Sequence, residues 1–257
     1  MLREVARTYR GVVGDPQVVA QVRGLVRAAG DAERAAAQQA YMRSSMPFRG
    51  ITSPQLRTLL RPALAVPVGD RAEWERAVRL LYDGARFREE RYAALGLLRH
   101  RAYRAWRDPG VMPLVRHLVV TGAWWDLVDD AAHVVAEVRL RDPVGEAARL
   151  REWARDPDRW LRRAAIIGQL RAKDRTDADL LRDVVDANLG DPDFFVRKAI
   201  GWALRDLSTT APDWVRAFVA EREGRLSPLS RREALKRIGP SAAAPPPAAA
   251  GSSPRRR

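Results

Sequence analysis

The densest chemical feature of this chain is TGAWWDLVDD at residues 121–130, which sets two tryptophans beside three aspartates. On a helix Trp125 and Asp129, four residues apart, share a face. An aromatic plane beside a carboxylate can hold a deoxyribose and stabilise positive charge that develops on it. A plainer account fits the same residues: Trp124 and Trp125 pack into a core, and Asp126 or Asp129 caps a helix. The segment by itself leaves both readings open.

Two further segments combine cations with apolar faces. In WLRRAAIIGQL, residues 160–170, one of the neighbours Arg162 and Arg163 can point to a binding surface while the other leans toward solvent. In DPDFFVRKAIGWALRDL, residues 191–207, Arg197, Lys198 and Arg205 surround apolar positions, and Trp202 stands four residues after Lys198. Aromatic and cationic side chains on one face can grip a nucleic-acid strand by stacking and charge. A solvated basic face and a buried tryptophan explain the same pattern without a ligand.

Composition narrows the chemistry. There is no cysteine, which excludes disulfides, thiolate catalysis, iron–sulfur clusters and cysteine-type zinc sites. The only histidines are His100, His117 and His133; they form no HExxH motif, so no metal site is expected. The formal net charge is +14, almost all of it from arginine, since Lys173, Lys198 and Lys236 are the only lysines. Such a field attracts polyanions, and the planar arginine fork suits bidentate phosphate contact. Solubility or a coding bias toward arginine accounts for the charge equally well. No apolar run approaches the roughly 20 residues needed to cross a bilayer, so no membrane partner and a cytoplasmic location are expected.

These residues need rigid elements to hold them, and the punctuation points to helices. Asp15-Pro16, Ser53-Pro54, Asp108-Pro109, Asp142-Pro143, Asp156-Pro157 and Asp191-Pro192 each precede a segment with three- and four-residue apolar spacing. Aspartate or serine at the N-cap with proline at N1 is a helix start with a physical cause. The spacing predicts helices near 16–28, 31–44, 54–65, 71–83, 87–100, 109–120, 123–128 and 130–140. Others fall near 143–154, 158–171, 177–189, 193–207, 212–222 and 228–237. Successive pairs recur every 35 to 40 residues, the period of a HEAT-like solenoid. The expected fold is all-α, a curved solenoid of antiparallel helix pairs over residues 1–239; a compact irregular bundle is the alternative. Residues 240–257, PSAAAPPPAAAGSSPRRR, read as a disordered tail with a basic end.

Taken together, YMRSSMPFRGI (41–51), WWDLVD (124–129), WLRRAAIIGQL (160–170), FFVRKAIGWALRD (194–206) and LSPLSRREALKRI (226–238) resemble the DNA alkylation repair enzyme family. These are HEAT-repeat alkylpurine DNA glycosylases, and the resemblance runs from about residue 10 to 239. It implies a curved helical stack with duplex DNA in a basic concavity. The implied activity is hydrolysis of the N-glycosidic bond of cationic N3-alkyladenine or N7-alkylguanine. It makes Asp129 the catalytic aspartate and places Trp125 and Trp202 beside the deoxyribose. Arg163 would engage DNA close to the lesion. Arg162, Arg197, Lys198 and Arg205 are the further candidates for DNA contact. Gly168 departs from the bulkier residue usual there, so local packing and lesion preference are expected to differ.

The expected partner is double-stranded DNA containing alkylated purines, bound by a monomer with neither metal nor organic cofactor. A noncatalytic binder of distorted duplexes would keep the charge and shape but release no base. A protein-interaction solenoid would lack salt-dependent DNA affinity.

Overall fold

The computed structural model describes residues 16–239, and all regular structure within them is helical. The first part holds α1 (Gln17–Ala28), α2 (Ala32–Met42), α3 (Ser53–Leu64), α4 (Arg71–Asp83), α5 (Arg88–Leu98) and α6 (Met112–Gly122). Then come α7 (Trp125–Arg139), α8 (Pro143–Trp153), α9 (Arg159–Ile167), α10 (Ala178–Asp186), α11 (Phe194–Leu207), α12 (Pro212–Glu221) and α13 (Pro228–Leu235). The expected tail at 240–257 and the start signal at Asp15 lie outside the described residues.

Most helix starts follow the expected chemistry, with instructive exceptions. The Asp142 side chain accepts the Gly145 N–H at the head of α8, as an N-cap should. In Asp156-Pro157-Asp158 and Asp191-Pro192-Asp193 the cap is the second aspartate. Asp158 accepts from Trp160 and Leu161, and Asp193 from Phe195 and Val196. The first aspartate instead shapes the turn by accepting the N–H of the second, so each proline precedes its helix. Before α3 the cap position belongs to Thr52, and Pro54 lies in the first turn.

The two short helices expected at 123–128 and 130–140 are one continuous helix, α7. No glycine or proline interrupts it, and the Asp129 carboxylate is engaged by another helix instead of capping its own backbone. A 3-10 turn at Arg101–Trp106 fills the stretch between α5 and the next helix start. It begins at His100, whose Nδ1 accepts the Ala102 N–H.

Packing runs in chain order. Helix α5 lies on α7, α7 on α9, α9 on α11 and α11 on α13, forming one continuous row; α4, α6, α8 and α12 each pack beside the following helix of that row. The apolar stripes merge into a single core running from Val18 to Ala234. Polar bonds repeat the same step. Arg71–Asp108, Arg88–Asp126, Arg163–Asp129, Arg159–Asp193 and Lys198–Glu233 join residues 34 to 38 apart, at 2.5 to 3.0 Å. This is the sequence period written in ion pairs: each helix pair is tied to the next. Among the described residues no helix is long and apolar enough to cross a membrane.

Close approach at two glycines sets the frame around the central helices. Gly50 takes a positive φ of 81°, and a Cβ there would lie 2.1 Å from the Asp31 carbonyl oxygen. The loop holding it is pinned by buried Glu89 of α5, whose carboxylate accepts the N–H groups of Arg49 and Ile51. Gly201 lets α11 meet α13, where a Cβ would come within 2.5 Å of the Glu233 Cβ and 3.0 Å of the Ser230 carbonyl oxygen. Gly201→Ala should therefore lower unfolding free energy by about 1–3 kcal/mol through overpacking. Urea denaturation monitored by circular dichroism measures this, and an unchanged midpoint would show that α13 yields freely.

Candidate functional site

Helix α7 begins at Trp125, directly after Trp124 in the N-cap position. The two tryptophans separate at this point. Trp124 turns into an aromatic cluster with Trp160 and Phe195, at centroid distances of 6.1 and 5.5 Å. Trp125 lines an open cleft of about 1280 Å³ between α2 and α3 on one side and α5 and α7 on the other. The core-packing reading thus describes Trp124, whereas Trp125 faces the cleft.

Asp129 lies one turn along α7 from Trp125 and lines the same cleft. Its carboxylate is gripped by Arg163 of α9: Nε donates to Oδ1 and Nη2 to Oδ2, both at 2.7 Å. The remaining Arg163 amino group donates to the Phe195 carbonyl oxygen at 2.6 Å, and the guanidinium sits 5.4 Å from the centre of the Trp202 ring. Three of the expected site residues therefore form one unit, with Trp125 a turn away. The side chain of Arg163 is only 2% exposed and that of Asp129 21% exposed. In this arrangement Arg163 supports the carboxylate and is not presented at the surface.

Burial raises the Asp129 carboxyl above the usual carboxylate range, and Arg163 opposes that shift through its hydrogen bonds and charge. Both oxygens accept from the guanidinium, a geometry that favours the ionised form. The result is a carboxylate held in fixed orientation with little hydration. Such a group interacts strongly with a positive charge brought into the cleft.

A second clamp supports the beginning of α7. Asp126 accepts from Arg88 at 2.5 Å and from the Tyr92 hydroxyl at 2.6 Å, both on α5. It caps no helix; its charge also lies in the first turn, where the helix dipole favours an anion. Sequence reasoning assigned no role to Arg88 or Tyr92. Their segment, FREERY at 87–92, reads as a solvated charged stretch, and only the structure shows that Arg88, Glu89 and Glu90 are buried.

Three of the four other expected DNA-contact residues are tied within the protein. Arg162 pairs with Asp191 at 2.9 Å, while Lys198 and Arg205 both bind Glu233 at 2.7 Å. Arg197 is half-buried, and its Nε is shielded from solvent without a hydrogen-bond partner among the described residues. None of these four lines the cleft. Its opposite wall and rim instead carry Arg57 and Arg61 of α3, Arg99 at the end of α5, and Arg101. Arg57, Arg61 and Arg101 are exposed and make no ion pair among the described residues, whereas Arg99 pairs with Asp130. Arg57 and Arg61, four residues apart, share the cleft-facing side of α3, a pattern legible only once a facing surface is known.

Gly168, which ends α9, is closely surrounded. A Cβ there would lie 3.0 Å from Val135 and 3.2 Å from Leu150, so larger neighbours take up the space. Removing the partner of a buried ion is costly, which makes Arg163→Ala a stability test as well as a site test. It should lower unfolding free energy by about 3 kcal/mol. Urea denaturation of the variant and the parent measures the difference, and a change below about 0.5 kcal/mol would mean Asp129 needs no partner.

The comparisons agree with this architecture. The family profile described as DNA alkylation repair enzyme matches residues 22–238. A solved structure described as a predicted DNA alkylation repair enzyme from Enterococcus faecalis is 28% identical to this chain. It superposes with a TM-score of 0.66, covering 81% of this chain and 96% of that one. No curated protein matches. A match across nearly the whole described span places this chain in the DNA alkylation repair enzyme family.

Proposed function

We propose that the protein is a DNA glycosylase that hydrolyses the N-glycosidic bond of N3- or N7-alkylated, cationic purines in duplex DNA. The observation that carries this reading is the Asp129 carboxylate, fixed by Arg163 at 2.7 Å through both oxygens and open to a cleft beside Trp125.

The chemistry follows from charge. An alkylated purine that is already cationic becomes neutral as it leaves, so its departure needs little help from a general acid. Positive charge then accumulates on the deoxyribose. A preoriented carboxylate stabilises that charge without reorganising, and the Trp125 face adds cation–π attraction. Trp202 acts through Arg163, whose guanidinium it covers. The duplex lies along the basic cleft, with Arg57, Arg61 and Arg101 contacting phosphates and so setting register without reading sequence. Arg162, Lys198 and Arg205 serve the frame through Asp191 and Glu233, and reach phosphate only if those pairs open. The reaction in this reading uses neither metal nor organic cofactor, and the protein acts as a cytoplasmic monomer.

Two outcomes test the proposal. With N7-methylguanine duplex DNA in single turnover, wild type should release free base. Asp129→Asn, confirmed folded by circular dichroism, should bind the duplex yet excise at least about a hundredfold more slowly. Binding without release by wild type would favour a noncatalytic damage binder. For the phosphate wall, Arg57→Ser and Arg61→Ser should each reduce the slope of log affinity against log salt by about 0.9. Unchanged slopes in fluorescence-anisotropy titrations would remove α3 from the interface.

A further inference from the structure

His133 lies on α7 one turn beyond Asp129 and lines the same cleft. Trp125, Asp129 and His133 thus form an i, i+4, i+8 row on the cleft side of one helix. The His133 ring is half-buried and has no hydrogen-bond partner among the described residues. Neither ring nitrogen is sealed from solvent in the manner of a packed core histidine. By contrast, both Asp129 oxygens are already committed to Arg163. Those bonds fix the carboxylate to oppose a positive charge, while its remaining lone pairs can still accept from a water.

We propose that His133 is a positioning residue for the attacking water, its imidazole accepting a hydrogen bond from the water that Asp129 holds against the sugar; this rests on the glycosylase reading. As the water oxygen bonds to C1′, the N-glycosidic pair leaves with the purine and neutralises its ring. The surplus proton, left on the new sugar hydroxyl, then passes to solvent water through the open cleft. A protonated sugar hydroxyl is a far stronger acid than imidazolium, so a weak base suffices.

The surroundings of His133 keep it uncharged. Burial pushes its imidazole down to about 4, helped by the positive charges of Arg99 and Arg171. Asp130, which would draw a proton toward the ring, is paired with Arg99, and Asp129 with Arg163. A cationic histidine here would repel the developing charge on the sugar; a neutral one offers a lone pair without that penalty.

The test compares His133→Ala and His133→Asn with wild type on N7-methylguanine duplex DNA. Duplex affinity and single-turnover excision are measured separately, with thermal unfolding as a check on structure. His133→Ala should leave affinity within about twofold and slow excision on the order of a hundredfold. His133→Asn, which keeps a hydrogen-bonding side chain without an imidazole, should recover at least about tenfold of that loss. Excision by His133→Ala at the wild-type rate would overturn the inference, as would equal loss in both variants. Absence of excision by wild type would instead overturn the glycosylase reading on which the inference depends.

Discussion

A carboxyl group gripped through both oxygens by a buried arginine, at the edge of a protein interior, is the constraint around which this molecule is organised. Without Arg163 the largely buried Asp129 carboxylate would lose its counter-charge, and without Asp129 the guanidinium, with almost no exposure, would be an uncompensated buried cation. Each group is therefore tolerable only because the other is present. The planar guanidinium fixes both oxygens and accepts cover from Trp202, while its third bond anchors it to the backbone of α11. A lysine could supply the charge but not that geometry.

The fold makes the pair possible by repetition. Residues 129 and 163 are neighbours because successive helix pairs stack with a step close to 35 residues, and α7, α9 and α11 lie side by side in one row. The same step brings Arg88 to Asp126 and Lys198 to Glu233. The site is thus a specialised instance of an ion-pair ladder that also ties the frame together. What sets it apart is what it faces: Asp129, a turn along the helix from Trp125, lines a cleft whose far side is lined by arginines. The helix start at Trp125 aims an aromatic ring into that space while its neighbour Trp124 is absorbed by packing.

Much of this was legible in the sequence because it is local. The aspartate–proline pairs, the three- and four-residue apolar spacing and the 35-to-40-residue period all have short-range causes, and they identify the helices and their stacking. The continuity of α7 was less visible, because an aspartate in mid-segment looks like a cap until its partner is known. The DPD turns were misread for a related reason: either aspartate can cap, and the carboxylate's choice depends on the whole turn. Within the site, family resemblance selected Asp129, Trp125, Arg163 and Trp202; Trp125 and Asp129 line the cleft, while Arg163 and Trp202 stand behind the carboxylate. The intramolecular partners of Arg162, Lys198 and Arg205, and the arginine wall on α3, depend on contacts across tens of residues. Arginine type alone does not distinguish a cation facing a phosphate from one facing Asp191 or Glu233.

The proposed glycosylase function rests on electrostatic preorganisation, a fixed carboxylate set to meet a sugar that turns positive only as its bond breaks. The most direct measurement is affinity for two otherwise identical duplexes, one carrying a cationic pyrrolidine in place of the sugar and the other a neutral tetrahydrofuran. Wild type should bind the cationic duplex at least about tenfold more tightly, and Asp129→Asn should lose that preference. Equal binding of the two duplexes by wild type would contradict the account.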